Sequence, residues 1–148
     1  MQPIRFGILG AARIAPNALI RPARRVEGVI VQAVAARDPA RAQAFARAHA
    51  IPTVHAGDSG YAALIDDPAV DAVYIALPNS LHAAWALRAL AAGKHVLCEK
   101  PPAANAREAE RIAAAAALPG APRFMEAAHN RYHPLVQRMG EVVAGGEL

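Results

Sequence analysis

Lys100 is the residue whose type and setting most directly suggest chemistry. It follows the apolar run His95–Cys98 and precedes Pro101 and Pro102, so it is expected at the carboxyl end of a strand. In open α/β sheets that is where the ligand crevice lies. A lysine there can donate a proton or hydrogen-bond a substrate hydroxyl. Glu99 stands beside it; the plainer alternative is a surface Glu99–Lys100 ion pair, worth ~0–1 kcal/mol. A second group, Leu77-Pro78-Asn79-Ser80-Leu81-His82, follows the preceding apolar run. Asn79 and His82 are three apart at a helix start, so both can face the crevice. The plainer alternatives are a helix cap for Asn79 and a partly buried polar residue for His82.

A phosphate-binding turn is expected near the start. Gly7-Ile8-Leu9-Gly10-Ala11-Ala12-Arg13-Ile14-Ala15 follows the first apolar run and opens a helix. Against the pattern G-x-G-x-x-G/A the positions are Gly10, Ala12 and Ala15. Gly10 permits the tight turn, and Ala15 is small enough for close helix–strand packing. Ala12 replaces the glycine that lets the backbone approach a pyrophosphate, so the match is imperfect, and an ordinary strand-to-helix turn is the alternative. The end of the second strand discriminates between cofactors: an acidic residue there suits the ribose of NAD, an arginine the 2′-phosphate of NADP. Here Ala36 is followed by Arg37, whose guanidinium can grip a phosphate with two hydrogen bonds. Asp38 either caps the helix that starts at Pro39 or turns back to the ribose. NADP is favoured over NAD.

These residues need a parallel sheet to position them. Strands are expected at Ile4–Leu9, Val29–Ala36, Thr53–Ala56, Val70–Leu77, His95–Cys98 and Arg123–Ala127. Helices are expected at Ile14–Ile20, Pro39–Ala48, Tyr61–Ile65, Asn79–Ala92 (capped by Asn79 or Ser80), Ala103–Leu118 and His133–Val143. Alternation of this kind gives βαβ units and an α/β fold: a Rossmann-type doubly wound, mainly parallel sheet with helices on both faces. The 148 residues suit one domain, and 55% hydrophobic content supplies a core. Apolar stretches fall short of the ~20 residues of a membrane span, and the first residues do not read as a signal peptide. Cys98 is the single cysteine, so no internal disulfide forms, which fits a cytoplasmic setting. The net charge is +4, but the arginines are scattered and only 5% of residues are aromatic, which argues against nucleic acid. Glu126, His129 and His133 are metal-ligand types, but the strand-to-helix transition makes a shared face doubtful, and no metal site is expected.

Taken together, GILGAARIA, AVAARDPARAQAFA, ALPNSLHAAWALRALAAGKHVLCEKP and FMEAAHNRYHP resemble the Gfo/Idh/MocA oxidoreductases. The branch with dihydrodiol dehydrogenase and NADP-dependent xylose dehydrogenase is the most similar. The resemblance runs in order along the whole chain; AGKHVLCEKP is its specific part. It implies that Gly10, Ala11, Ala12, Arg13 and Ile14 hold the pyrophosphate and Arg37 the 2′-phosphate of NADP. Leu77, Pro78, Asn79 and His82 line the nicotinamide end, and Glu99 and Lys100 sit beside the nicotinamide ribose and the substrate. Lys100 is the catalytic lysine, the Lys100–Pro101 bond is often cis, and Arg131 matches the arginine after strand six. The family also carries a second domain with most of the substrate pocket and the dimer surface. Residues 1–148 are therefore expected to be the dinucleotide-binding domain, with the last ~25 leading into that second domain, since Gly145-Gly146-Glu147-Leu148 stops where another strand could begin. The expected partner is a small-molecule substrate (a sugar, polyol or cyclic diol), with homo-oligomerisation possible. A stand-alone nucleotide-binding module without turnover is the alternative; a methyltransferase is disfavoured by Arg37 and Glu99-Lys100-Pro101.

Overall fold

Short runs of apolar residues, many of them β-branched, can bury both faces of a strand only inside a parallel sheet covered by helices. In the computed structural model, which describes residues 2–146, six such runs form one sheet. They are β1 (Ile4–Leu9), β2 (Val29–Ala36), β3 (Thr53–Ala56), β4 (Ala72–Ile75), β5 (His95–Cys98) and β6 (Phe124–Glu126), in the order β3-β2-β1-β4-β5-β6. Every neighbouring pair is parallel. This is the doubly wound Rossmann order, with its topological switch point between β1 and β4.

The connections are a π-helical turn, Pro16–Ile20, running into α1 (Arg21–Ala23), then α2 (Pro39–His49), α3 (Gly60–Asp66), α4 (Asn79–Ala91) and α5 (Ala106–Ala116). After β6 come a 3-10 turn, His129–Tyr132, and α6 (Pro134–Ala144). Side chains alternate across the sheet. Ile8 and Tyr74 pack with Leu19 and Ile20 on one face. Leu9, Val73 and Ile75 pack with Leu64 of α3 and Ala86 of α4 on the other. Gly7 lies directly under α3: a Cβ there would come 2.5 Å from Leu64 Cδ2, so the small residue sets how closely α3 approaches. No helix among the described residues is long and apolar enough to cross a membrane.

Several boundaries differ from the sequence expectation. The helix after β1 starts at Pro16 and continues to Ala23, with Arg21 N–H reaching back to Pro16 O. Pro22 lacks an N–H and its ring would crowd the carbonyl four residues earlier; the wider π turn relieves that conflict. β4 is shorter than Val70–Leu77, because ladder pairing with β1 and β5 covers only its middle. α4 begins without a side-chain cap: Pro78, rather than Asn79 or Ser80, occupies the N-cap position. α5 starts at Ala106 and not Ala103, since Asn105 caps it by accepting from Glu108 N–H while Glu108 Oε2 accepts from Ala104 N–H. α6 buries none of its side chains, and Leu135, Met139 and Val143 are exposed.

Candidate functional site at the carboxyl edge of the sheet

The chain leaves β1 through Gly10, which has φ +99°. A Cβ at Gly10 would lie 2.9 Å from Ala76 O and 3.0 Å from Leu77 Cδ2, so both conformation and space demand glycine. Gly10 N–H bonds to Ala35 O and Ala12 N–H to Gly10 O, both at 2.8 Å. Ala12 is thus tied back into the turn. The N–H groups of Ala11, Arg13 and Ile14 meet no protein acceptor among the described residues. Unpaired amides leading into a helix form a concave, electropositive seat suited to a phosphate.

Beside this turn opens a cavity of about 280 Å³, lined by Gly10, Ala11 and Ala12, the end of β2 (Ala36, Arg37, Asp38), Arg41 and Tyr61, and the end of β4 (Ala76, Leu77, Pro78). Asp38, which also lines this cavity, is the N-cap of α2, and its Oδ1 accepts from Arg41 N–H at 3.1 Å. Arg37 is exposed and makes no hydrogen bond or ion pair within the described residues. Arg41 crosses the mouth of the turn, Nη2 donating to Ala11 O at 2.8 Å. Two guanidinium groups therefore flank the cavity where β2 ends, beside a carboxylate that has one oxygen engaged in capping α2. The sequence reading missed Arg41. A signal was present: a cation in the first turn of a helix opposes the helix dipole and needs an anionic counterpart.

A larger cavity of about 590 Å³ lies on the other side of the turn. Ile14, Asn17 and Ala18 form one wall, Leu97, Glu99 and Lys100 another, and Met125, Ala127, Ala128, His129 and Tyr132 a third. Lys100 is exposed, and the Lys100–Pro101 peptide is cis. Glu99 is fixed more firmly. Its N–H bonds to Ile75 O at 2.9 Å, its Oε1 accepts from Tyr74 Oη at 2.5 Å and its Oε2 from Lys100 N–H at 3.3 Å. Burial, and then the Glu99 carboxylate, push the Tyr74 hydroxyl's pKa well above the usual phenol range, so Tyr74 stays a donor. Burial likewise pushes the Cys98 thiol up to about 12, with the carboxylates of Glu99 and Glu126 adding to it. Tyr74 was also missed in the sequence, although a hydroxyl on a strand buried on both faces must find a partner.

The structure therefore brings Gly10, Ala11, Ala12, Ile14, Arg37, Leu77, Pro78, Glu99 and Lys100 to one edge, around two cavities. Arg13, Asn79 and Arg131 are exposed and line neither cavity. His82, expected to line the nicotinamide end, is only 1% exposed and lines neither cavity. Its Nε2 is 2.7 Å from Leu77 O and its Nδ1 2.7 Å from Pro101 O. One turn into α4 the side chain points back under the sheet edge and sits between two carbonyls, donating its one N–H to one of them, so the imidazole bridges the two strand-end segments. His133, considered above as a metal-ligand type, caps α6 by accepting from Leu135 N–H.

Residues 4–126 match the oxidoreductase family with an NAD-binding Rossmann fold known as GFO_IDH_MocA. The chain belongs to that family. Among its relatives, the D-xylose 1-dehydrogenase (NADP(+)) 2 of Haloferax volcanii is 45% identical over 94% of this chain and 41% of its own length. The trans-1,2-dihydrobenzene-1,2-diol dehydrogenase of Bos taurus is 40% identical over 98% of this chain and 42% of its own. A 3-ketoreductase from Actinomadura kijaniata, crystallised with NADP and TDP-benzene, superposes with a TM-score of 0.85 at 37% identity, over 98% of this chain and 43% of that one. The chain spans about two-fifths of the length of the curated relatives it matches.

Proposed function

We propose that this chain holds NADP(H) along the carboxyl edge of its sheet, as the cofactor half of an oxidoreductase. That enzyme would transfer a hydride between NADP and the hydroxyl-bearing carbon of a sugar, polyol or cyclic diol. The observation that carries the reading is the pair Arg37 and Arg41 beside the phosphate turn, with Asp38 committed to capping α2. An arginine pair suits a 2′-phosphate, whereas a free acidic residue would suit a bare ribose. Three unpaired amides at Ala11, Arg13 and Ile14 fit the pyrophosphate. Leu77 and Pro78, expected at the nicotinamide end, line the cavity beside the phosphate turn and are kept as cofactor contacts, and Glu99 and Lys100 are assigned to the nicotinamide ribose. Asn79 and Arg131 are kept as peripheral contacts. The names of the relatives, an NADP-dependent xylose dehydrogenase and a dihydrodiol dehydrogenase, agree with this substrate class.

The nicotinamide, when bound, supplies the hydride acceptor or donor. The chain's own contribution is placement and proton handling. Lys100 takes the proton of the substrate hydroxyl as that carbon becomes a carbonyl; in the reverse direction it hydrogen-bonds the carbonyl oxygen and returns the proton to it as the hydride arrives. In this reading residues 1–148 are the dinucleotide-binding domain, and a further domain completes the substrate pocket. The chain's two-fifths share of its relatives and the exposed apolar side chains of α6 support that arrangement.

Paired titrations of the chain with NADPH and NADH test the proposal. NADPH should bind more tightly, and Arg37→Ala or Arg41→Ala should weaken NADPH by about 10- to 100-fold, with NADH unchanged in Arg37→Ala, as expected for loss of a charge-assisted hydrogen bond. Equal affinity for both cofactors, unaltered in the variants, would overturn it.

A further inference from the structure

β4 is the central strand next to the switch point, and the Tyr74 ring is fully buried against Ile8, Leu19, Ile20 and Leu97. A hydroxyl in that setting is costly unless it is paired. Among the described residues its partner is Glu99, the residue where β5 opens into the larger cavity. The 2.5 Å separation is that of a short hydrogen bond to a carboxylate. With Oε1 held by Tyr74, Oε2 by Lys100 N–H and the backbone by Ile75 O, the Glu99 side chain has one orientation. A carboxylate offers about four lone-pair sites, so acceptor capacity toward the cavity remains.

We propose that Tyr74 is a positioning residue for the nicotinamide-ribose half of the bound dinucleotide. Its hydroxyl fixes the Glu99 carboxylate at the floor of the larger cavity, where that carboxylate accepts the ribose hydroxyls. This rests on the dinucleotide reading above. Fixing the acceptor beforehand means that its side-chain freedom is not lost on binding. The effect is confined to one half of the cofactor, because the adenosine-phosphate cavity, lined by Arg37 and Arg41, includes neither Tyr74 nor Glu99.

Tyr74→Phe keeps the ring in place and deletes only the hydroxyl. Binding of NADPH and of 2′,5′-ADP, which carries the adenosine phosphates but no nicotinamide, would be measured on the chain and on Tyr74→Phe, Glu99→Ala and the double variant. Tyr74→Phe should weaken NADPH about tenfold and leave 2′,5′-ADP within about twofold; in the Glu99→Ala background, which has no side-chain acceptor, it should have no further effect. Equal weakening of both ligands would reveal a merely structural role and overturn the inference, as would no change in NADPH affinity or full additivity with Glu99→Ala. Wild-type chain that binds 2′,5′-ADP but gains nothing from the nicotinamide half would overturn the role of Tyr74 while leaving the phosphate site standing. Binding of neither ligand would overturn the dinucleotide reading, and this inference with it.

Discussion

Replacing His82 by leucine removes the donor shared by two strand-end segments while roughly conserving volume. The imidazole is 1% exposed and lies 2.7 Å from both Leu77 O and Pro101 O. A buried carbonyl left without a donor costs about 1–3 kcal/mol. A neutral imidazole carries one N–H, so one donor bond is lost with little added cavity, which predicts a destabilisation of about 1–3 kcal/mol. At roughly 3 °C per kcal/mol for a domain of this size, the melting temperature should fall by about 3–9 °C. Urea unfolding followed by circular dichroism measures the loss directly, with the slope against denaturant expected to stay constant. His82→Asn retains donors but is too short to reach both carbonyls, and should fall between leucine and wild type. A loss below about 1 kcal/mol for His82→Leu would refute the idea that the histidine ties the two segments together.

Other consequences are equally direct. Gly10→Ala should lower stability by about 1–3 kcal/mol, because φ is +99° and the new methyl meets Ala76 O; an unchanged thermal melt would contradict the account of the turn. Cys98 is buried, with its thiol pushed up to about 12, so iodoacetamide at about pH 8 should spare the native chain and modify the urea-unfolded one; rapid native labelling would show that the β5 end opens readily. The Arg5 guanidinium, which bonds both Asp71 oxygens, holds that carboxyl at about 2, below its ordinary 3.8. A depressed carboxylate adds stability above its unfolded value and loses it as pH falls through the folded one. Asp71→Asn should therefore melt lower than wild type at neutral pH, with the gap closing between about pH 4 and pH 2. Both side chains are about one-third exposed, so the gap should be small and should shrink with salt; a gap that persists at pH ~2 would point to another cause.

Much of the scaffold was legible in the sequence. β1, β2, β3 and β5 have the expected bounds, because a run such as Val29–Ala36 is nearly continuous, rich in β-branched residues and closed by turn residues. That the glycine turn, Arg37 and Glu99-Lys100 lie at the carboxyl edge was legible from type and position, since a parallel α/β fold delivers strand ends to one edge. Three things depended on tertiary structure. The length of β4 is set by where β1 and β5 pair with it, which no property of its own residues encodes. The direction of His82 is set by two carbonyls from distant segments; spacing from Asn79 could not distinguish a residue facing the crevice from one lying beneath it. The partners of Arg41 and Tyr74 lie 30 and 25 residues away, so their hydrogen bonds exist only once the sheet is assembled. Local sequence determines which residues reach the carboxyl edge, because secondary structure is a local periodicity. The packed sheet decides which of them face the cavities and which hold the others in place, because that depends on contacts between strands far apart in the chain.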